Sequence, residues 1–141
     1  MAAVVRLGLD IDGTITSAPT RFVQAACAVR SAGGCVHVVT SRSVLGRIGT
    51  LAELREYDLD YDEIHFLPEI SQAQALCPHP HLDWFNRHRW LKVDYAVHHR
   101  LTHFVDDDVA VLKLFREFAP MVVALSPLDA LTDVLSIGTL K

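Results

Sequence analysis

The length, composition and charge of the chain exclude several classes of protein. Its 141 residues, half of them hydrophobic, suffice for one domain with a sizeable core and argue against two domains. The formal net charge of −4 argues against broad nucleic-acid binding through a basic face. The apolar runs have only strand length, and the N-terminus lacks the pattern of a secretory signal, so we expect no membrane partner.

The first predicted strand, residues 4–9, ends in two carboxylates. Asp10 and Asp12 lie one residue apart, so in extended chain they project to the same side and repel each other unless a cation lies between them. Gly13 gives the backbone freedom for an abrupt turn. A hard metal ion fits this pair, although an isolated pair of this kind is also typical of a turn or a helix N-cap.

A helix and a second strand follow. The helix begins at Pro19 and has an apolar stripe that ends before two glycines. The strand, residues 35–40, ends in Thr40 and is followed by Ser41 and Arg42. Hydroxyl and backbone N–H groups at a strand end are donors that a phosphoryl group needs, so these residues are candidates for binding a phosphate.

The middle of the chain predicts a second helix, a third strand and an irregular stretch. The third strand covers residues 63–67 and is closed by Pro68. Residues 71–81 are expected to form an irregular loop near the site, because Pro78 and Pro80 exclude a continuous helix there. The apolar residues expected on the inner face of the second helix are Val44, Leu45, Ile48, Leu51 and Leu54.

A long helical pattern then covers residues 82–100. Three aromatic residues lie in it, and packing within the core is favoured over a platform for base stacking. They are Trp84, Phe85 and Trp90. Lys92 lies in the same pattern.

The fourth predicted strand, residues 101–105, ends in three successive acids. Asp108 is well placed to cap the following helix, but a cap needs only one acid. Asp106 and Asp107 therefore indicate a bound cation. A helix to about Phe118, a fifth strand over 121–125 and a short helix over 128–135 complete the pattern.

Alternation of strands and helices predicts an α/β fold with one doubly wound parallel sheet and helices on both faces. With the strand order 3-2-1-4-5, the ends of the first, second and fourth strands meet where the winding direction reverses. This brings Asp10 and Asp12, Thr40, and the acids from Asp106 to Asp108 to one crevice. The three cysteines are odd in number, and Cys27 and Cys35 fall in segments predicted as buried, so we expect reduced thiols and a cytoplasmic protein.

The motifs in this order resemble the haloacid-dehalogenase-like superfamily of phosphotransferases. The resemblance is carried by Asp10-Ile11-Asp12-Gly13-Thr14, by Thr40, by a lysine before the fourth strand and by the Asp106-Asp107 pair. It covers essentially the whole chain, so it implies a single catalytic domain over residues 1–141. Between Asp12 and Thr40 there is room for only one helix, which implies the minimal-cap branch without a folded cap.

The resemblance also implies roles for individual residues. Asp10 would be the nucleophile that forms an aspartyl-phosphate, and Asp12 would be the general acid and base. Thr40 and Lys92 would bind the phosphoryl oxygens, with Arg89 and Arg100 as rivals for the lysine's part. On this basis, Lys92→Ala is expected to lower turnover by orders of magnitude while the fold is retained.

Magnesium is the cofactor that the resemblance implies. Asp10, the backbone carbonyl of Asp12 and Asp107 would hold Mg²⁺, while Asp106 would orient the lysine. A second metal is suggested by Cys77, His79 and His81, whose side chains suit zinc although their spacing is not a standard one.

The function implied is magnesium-dependent hydrolysis of a phosphomonoester. Weaker similarity to the 3′-phosphatase domain of polynucleotide kinase/phosphatases suggests a nucleic-acid 3′-phosphate, and the acidic charge makes a nucleotide or another phosphorylated small molecule an equal candidate. Sites in this branch are exposed or covered by a neighbouring subunit, which leaves a homo-oligomer open. The alternatives are a phosphotransferase of the same fold and a non-catalytic phosphate-binding or protein-binding module.

Overall fold

A five-stranded parallel sheet organises the chain, as the sequence predicted. The computed structural model describes residues 4–132. Within them the strand order is β3-β2-β1-β4-β5, and every neighbouring pair is parallel. The strands are β1 (Arg6–Leu9), β2 (Cys35–Thr40), β3 (Glu63–Phe66), β4 (His103–Val105) and β5 (Val123–Leu125).

Helices cover both faces of this sheet. They are α1 (Pro19–Ser31), α2 (Arg47–Glu56), α3 (Ile70–Leu76), α4 (Trp84–His98) and α5 (Val109–Phe118), and residues 127–132 are also helical. Side chains alternate along each strand, so the sheet contributes to two separate cores. Val38 packs with Phe22 of α1 on one face, whereas Val39 packs with Phe115 of α5 on the other. The result is a single Rossmann-like α/β domain.

The register of the sheet places the acidic strand ends side by side. Leu9 of β1 is paired with Val38 of β2 and with Val105 of β4. The backbone N–H of Asp10 donates to the carbonyl of Val105 over 3.0 Å. Because β1 and β4 end at the same level, Asp10 and the acids from Asp106 onward emerge together.

The predicted inner face of the second helix was wrong. Val44 and Leu45 lie in a 3₁₀ turn, and the α-helix begins only at Arg47. A 3₁₀ turn advances 120° per residue instead of 100°, so the apolar residues within it fall out of phase with those of the α-helix that follows. Leu45 and Ile48 are 92% and 86% exposed, while Leu54 stays in the core.

The stretch 71–81 is also more regular than the sequence suggested. Helix α3 occupies Ile70–Leu76, and the irregular part is confined to residues 77–83. A capping box explains the difference: Glu69 accepts from the backbone of Gln72, whose side chain accepts from the Glu69 N–H. The prolines therefore end a helix here instead of preventing one.

Four predicted burials were wrong, and one predicted helix lies partly outside the described residues. Trp84 and Phe85 at the start of α4 are exposed, whereas Trp90 packs against the core. Cys27 is exposed and Cys35 only half-buried. Of the closing helix expected over 128–135, residues 133–135 lie outside the described part. Between residues 4 and 132, no helix has the length and apolarity needed to cross a bilayer.

Candidate active site

A buried ion-pair cluster lies at the carboxyl end of β1. Lys92 reaches the site from the middle of α4, and its Nζ donates to Asp10 Oδ1 over 2.9 Å and to Asp106 Oδ2 over 2.7 Å. These three residues are 4%, 5% and 1% exposed. Burying an ammonium and two carboxylates is costly unless they are paired, so this cluster is a position where the fold accepts a cost that an apolar core would avoid.

The two arginines that the sequence offers as alternatives to Lys92 do not contact Asp10. Arg89 donates through Nε to Asp108 Oδ2 over 2.7 Å, and Arg100 is exposed in the turn after α4, with a positive φ of 56°. Asp108 also accepts from the N–H of Ala110 and so caps α5. The geometry therefore brings Lys92, and neither arginine, to Asp10.

Burial sets the protonation chemistry of this cluster. Burial raises the pKa of Asp10 to about 7, which outweighs the lowering by the Lys92 charge, and Asp106 adds to the rise. Burial also raises the pKa of Asp106, again against Lys92. Burial lowers the pKa of Lys92, but the two carboxylates reverse this and the net shift is upward. Asp10 is thus a carboxylate whose charge depends on what binds beside it.

A third acid completes a cluster that could bind a metal ion. Carboxylate oxygens of Asp10, Asp106 and Asp107 lie within 4.8 Å of one another, and Asp107 is the exposed member. Thr14 connects the two strand ends: its hydroxyl donates to Asp10 Oδ2 over 3.2 Å and accepts from the Asp107 N–H over 3.1 Å. Three carboxylates against one ammonium leave negative charge uncompensated, and an all-oxygen donor set suits a hard divalent cation.

Asp12 points away from these carboxylates and pairs with Arg42. Arg42 Nη2 and Nε donate to the two Asp12 oxygens over 2.7 and 2.9 Å. Hydrogen bonding from Arg42 holds the pKa of Asp12 below its usual value. The Asp12 side chain is therefore not part of the metal-type cluster, which leaves its backbone carbonyl as the atom proposed for a metal.

Sequence reasoning missed the residues that hold Arg42 in place. Arg42 Nη1 donates to Glu53 Oε1 over 2.9 Å and to Thr50 over 3.3 Å. Both partners lie one turn apart on α2, so this helix turns a polar face toward the site. The spacing of three between Thr50 and Glu53 indicates that they share one face of the helix. The prediction for this helix used only its apolar residues and so did not identify this polar face.

Thr40 and Ser41 occupy different positions at the end of β2. Thr40 is buried, and its hydroxyl accepts from the backbone N–H of Arg42 over 3.0 Å. Ser41 is exposed and lines a cleft that also reaches Lys92. The predicted phosphate-binding residues thus lie beside the acidic strand ends, with Thr40 shaping the turn that brings Arg42 to Asp12.

The cysteine and histidines considered for zinc do not form a metal cluster. Within residues 4–132, the acids described above are the one group of three ligating side chains whose atoms come within 4.8 Å. His79 instead packs against Phe118 with ring centroids 4.3 Å apart and meets the edge of Trp90 at 5.1 Å. Cys77 is buried at the end of α3. The zinc hypothesis is therefore dropped.

Gly13 offers a test of how tightly the acidic loop is built. Its φ is +78°, and a Cβ at this position would collide with the Asp107 carboxylate. Gly33 has a similar φ of +88° but open space around it. We expect Gly33→Ala to cost about 1–2 kcal/mol of unfolding free energy from backbone strain alone, and Gly13→Ala to cost at least as much, because the exposed Asp107 carboxylate must also rotate away. Urea unfolding of both variants measures this, and a smaller loss in Gly13→Ala than in Gly33→Ala would contradict the close contact.

Comparisons with known proteins add a structural similarity. No family model matches the chain, and no curated protein sequence matches it. A chain in the structure of the Pnkp1/Rnl/Hen1 RNA repair complex has a TM-score of 0.53 and 15% sequence identity to this one. The match covers 89% of this chain and 44% of that chain, so this protein spans less than half of its structural neighbour. At this identity the similarity shows a shared fold.

Proposed function

We propose that this protein is a magnesium-dependent phosphomonoester hydrolase that works through an aspartyl-phosphate on Asp10. One observation carries the proposal: a buried carboxylate at the end of the first strand is hydrogen-bonded to an equally buried Lys92, beside two further acids. A purely structural ion pair gains little from such burial. Perturbed, paired ionisable groups in this position are typical of an active site.

In the first step, Asp10 is the nucleophile, and Lys92 and Thr14 hydrogen-bond to it. An Asp10 oxygen attacks phosphorus, a new P–O bond forms, and the bond to the leaving oxygen breaks with its electron pair. Lys92 lies against Asp10, where its charge can also stabilise the transferring phosphoryl oxygens. Asp106 bonds to Lys92 and so positions the ammonium. Thr14 donates to the other Asp10 oxygen and fixes the plane of the carboxylate.

Magnesium would be held by Asp10, Asp107 and the backbone carbonyl of Asp12. When bound, it would offset the negative charges of the nucleophile and of the substrate phosphate. The fit rests on the donor set, which is all oxygen, and on the acid excess over Lys92.

Asp12 would move the protons of both steps. In the second step a water attacks the phosphorus of the aspartyl-phosphate, the bond to Asp10 breaks, and ionised Asp12 takes the water's proton. Arg42 keeps Asp12 ionised in this structure, which suits that step. Protonating the leaving group in the first step requires Arg42 to release Asp12. Glu53 already shares the guanidinium, and a bound phosphate dianion would draw it further.

Two observations bear on the substrate. The structural neighbour belongs to an RNA repair complex, which supports phosphoryl chemistry on nucleic-acid ends. The net charge of −4 favours a substrate with few phosphates. We therefore propose a nucleotide or a nucleic-acid 3′-phosphate. A phosphotransferase of the same fold remains the alternative, since the same intermediate can pass its phosphoryl group to an alcohol.

The experiment is an assay of inorganic phosphate release after removal of metal and addition of Mg²⁺. The panel contains nucleoside 3′- and 5′-monophosphates, 3′- and 5′-phosphorylated oligonucleotides, glycerol phosphate, sugar phosphates and a phosphopeptide. Hydrolysis releases phosphate in step with the alcohol, whereas transfer to an added alcohol yields a new ester. No Mg²⁺-dependent cleavage of any member would overturn the proposal and favour a binding module.

Metal binding is expected to stabilise the fold, more strongly at pH 8 than at pH 5.5. Protons and the metal compete for Asp10, whose pKa is raised to about 7, so the competition weakens as the pH rises. At one hundred times its Kd, Mg²⁺ would contribute about 2.7 kcal/mol. Thermal unfolding with Mg²⁺ and with a chelator measures the shift. Asp107→Asn should remove most of it, and Asp58→Asn, in a turn at the other end of the sheet, should not; equal shifts in both would contradict the site.

A further inference from the structure

A cleft leads from Lys92 to the surface along one face of α4. Its volume is about 180 Å³. On the helix it is lined by Phe85, His88, Arg89 and Lys92, which recur at spacings of three and four and so share one face. The other walls come from the ends of β2 and β3 and the start of α5, and are formed by Ser41, Leu67, Asp108 and Val111.

The cleft is continuous with the proposed reaction site. Helical side chains lean toward the N-terminus of their helix, so the Lys92 stem extends over the turn that holds His88 and Arg89. Phe85 lies one further turn along, about 5 Å away. A group esterified to a phosphate beside Lys92 would therefore meet the walls of this cleft.

The polar walls are already fixed. His88 Nε2 and the carbonyl of Pro68 are 2.8 Å apart. Arg89 is held by Asp108 through Nε and by Asn86 through Nη1 over 3.1 Å. Arg89 and Asp108 neutralise each other, so the cleft offers hydrogen-bonding edges without a net charge for a second anion. This favours an uncharged, polar leaving group.

The aromatic ring of Phe85 lies at the mouth of the cleft, and it is too exposed to serve as a packing residue of the core. Phe85 is 61% exposed although it belongs to the first turn of α4, whose cap, Asp83, accepts from the Asn86 N–H. The volume is below the roughly 300–1,000 Å³ of pockets for drug-sized ligands, so it suits a single ring system. A flat ring with polar edges would cover the face of Phe85 and meet Arg89.

We propose that this cleft is a nucleoside subsite, in which the base of the leaving group stacks on Phe85 and its polar edge faces Arg89. The inference rests on the proposed function and narrows it to esters of nucleosides. A free nucleotide and the terminal residue of an oligonucleotide present the same nucleoside, so both are included in the test.

The test compares kcat/KM for a nucleoside monophosphate with kcat/KM for glycerol phosphate, which has no ring. Stacking of a base on an aromatic side chain is lost in Phe85→Ala, and we expect the ratio to fall about tenfold. Phe85→Tyr should restore it. Trp84→Ala is the matched control, because Trp84 is also an exposed aromatic at the start of α4 but does not line the cleft.

The outcomes separate this inference from the proposed function. A ratio that is the same in the wild type and in Phe85→Ala, or that falls equally in Trp84→Ala, would overturn the subsite and leave the hydrolase intact. No cleavage of any member of the panel by the wild type would overturn both, and cleavage confined to esters without a nucleoside would overturn the subsite alone. A 3′-phosphorylated oligonucleotide run alongside the mononucleotide identifies the source: a higher kcat/KM for the oligonucleotide indicates a nucleic-acid end, and a lower one a free nucleotide.

Discussion

Asp10→Asn is expected to lower phosphate release by about three orders of magnitude or more, because an amide cannot form the aspartyl-phosphate. Asparagine has nearly the same shape and keeps an oxygen that can accept from Lys92. The loss would therefore report on the nucleophile and not on the fold. Steady-state turnover with the preferred ester of the panel, at saturating Mg²⁺, measures it.

The same variant has a second readout in stability. The folded-state pKa of Asp10, about 7, lies above its ordinary value of 3.8, so the native state loses stability as the pH rises through this interval. Asp10→Asn removes that loss, and without metal it should depend less on pH than the wild type between pH 5 and pH 8. Asp58→Asn provides the control. Turnover close to that of the wild type in Asp10→Asn would exclude Asp10 as the nucleophile.

The sheet and the meeting of its acidic ends could be predicted from sequence because both depend on local, periodic signals. Short β-branched runs alternating with helical patterns define a parallel sheet, and a parallel sheet aligns its carboxyl ends. Asp10 and Asp106 each directly follow such a run. Their proximity therefore follows once the strand order is correct.

Details that depend on the phase of a helix or on a long-range polar contact could not be predicted. The apolar residues Leu45 and Ile48 gave the wrong face for α2, because a 3₁₀ turn precedes the helix. The pairing of Arg42 with Asp12 joins residues 30 positions apart and depends on Glu53 from that same helix. Hydropathy gave no reason to expect Phe85 at a surface, because the exposure of an aromatic residue depends on which long-range contacts its helix makes.

Lys92→Met is expected to abolish turnover and also to destabilise the protein. The sequence alone had predicted that the fold would be retained when Lys92 is replaced. Methionine retains the apolar stem but leaves Asp10 and Asp106 buried without their shared cation. Breaking one side of a buried ion pair costs about 3–5 kcal/mol, and the reason is the uncompensated charge. The cost should therefore depend on whether those acids are charged.

The sign of that dependence follows from the two acids. Without Lys92, burial and mutual repulsion both raise the folded-state pKa values of Asp10 and Asp106. A protein whose buried acids have raised pKa values loses stability as the pH rises. Lys92→Met should therefore lower the free energy of unfolding more at pH 8 than at pH 5, where protonation removes the uncompensated charge. Urea unfolding at both pH values measures the difference. Lys113→Met, the same change at an exposed site on α5, should cost little at either.

Activity and stability can then be separated in this one variant. Phosphate release by the variant and by the wild type is compared at pH 8, under conditions in which urea unfolding shows the variant to be folded, because protonation of Asp10 at pH 5 would lower release in both. A loss of stability that is equal at both pH values would show that Lys92 contributes packing and not charge compensation. Turnover at the wild-type level in a folded variant would remove the ammonium from the mechanism, because no other cation among residues 4–132 contacts Asp10.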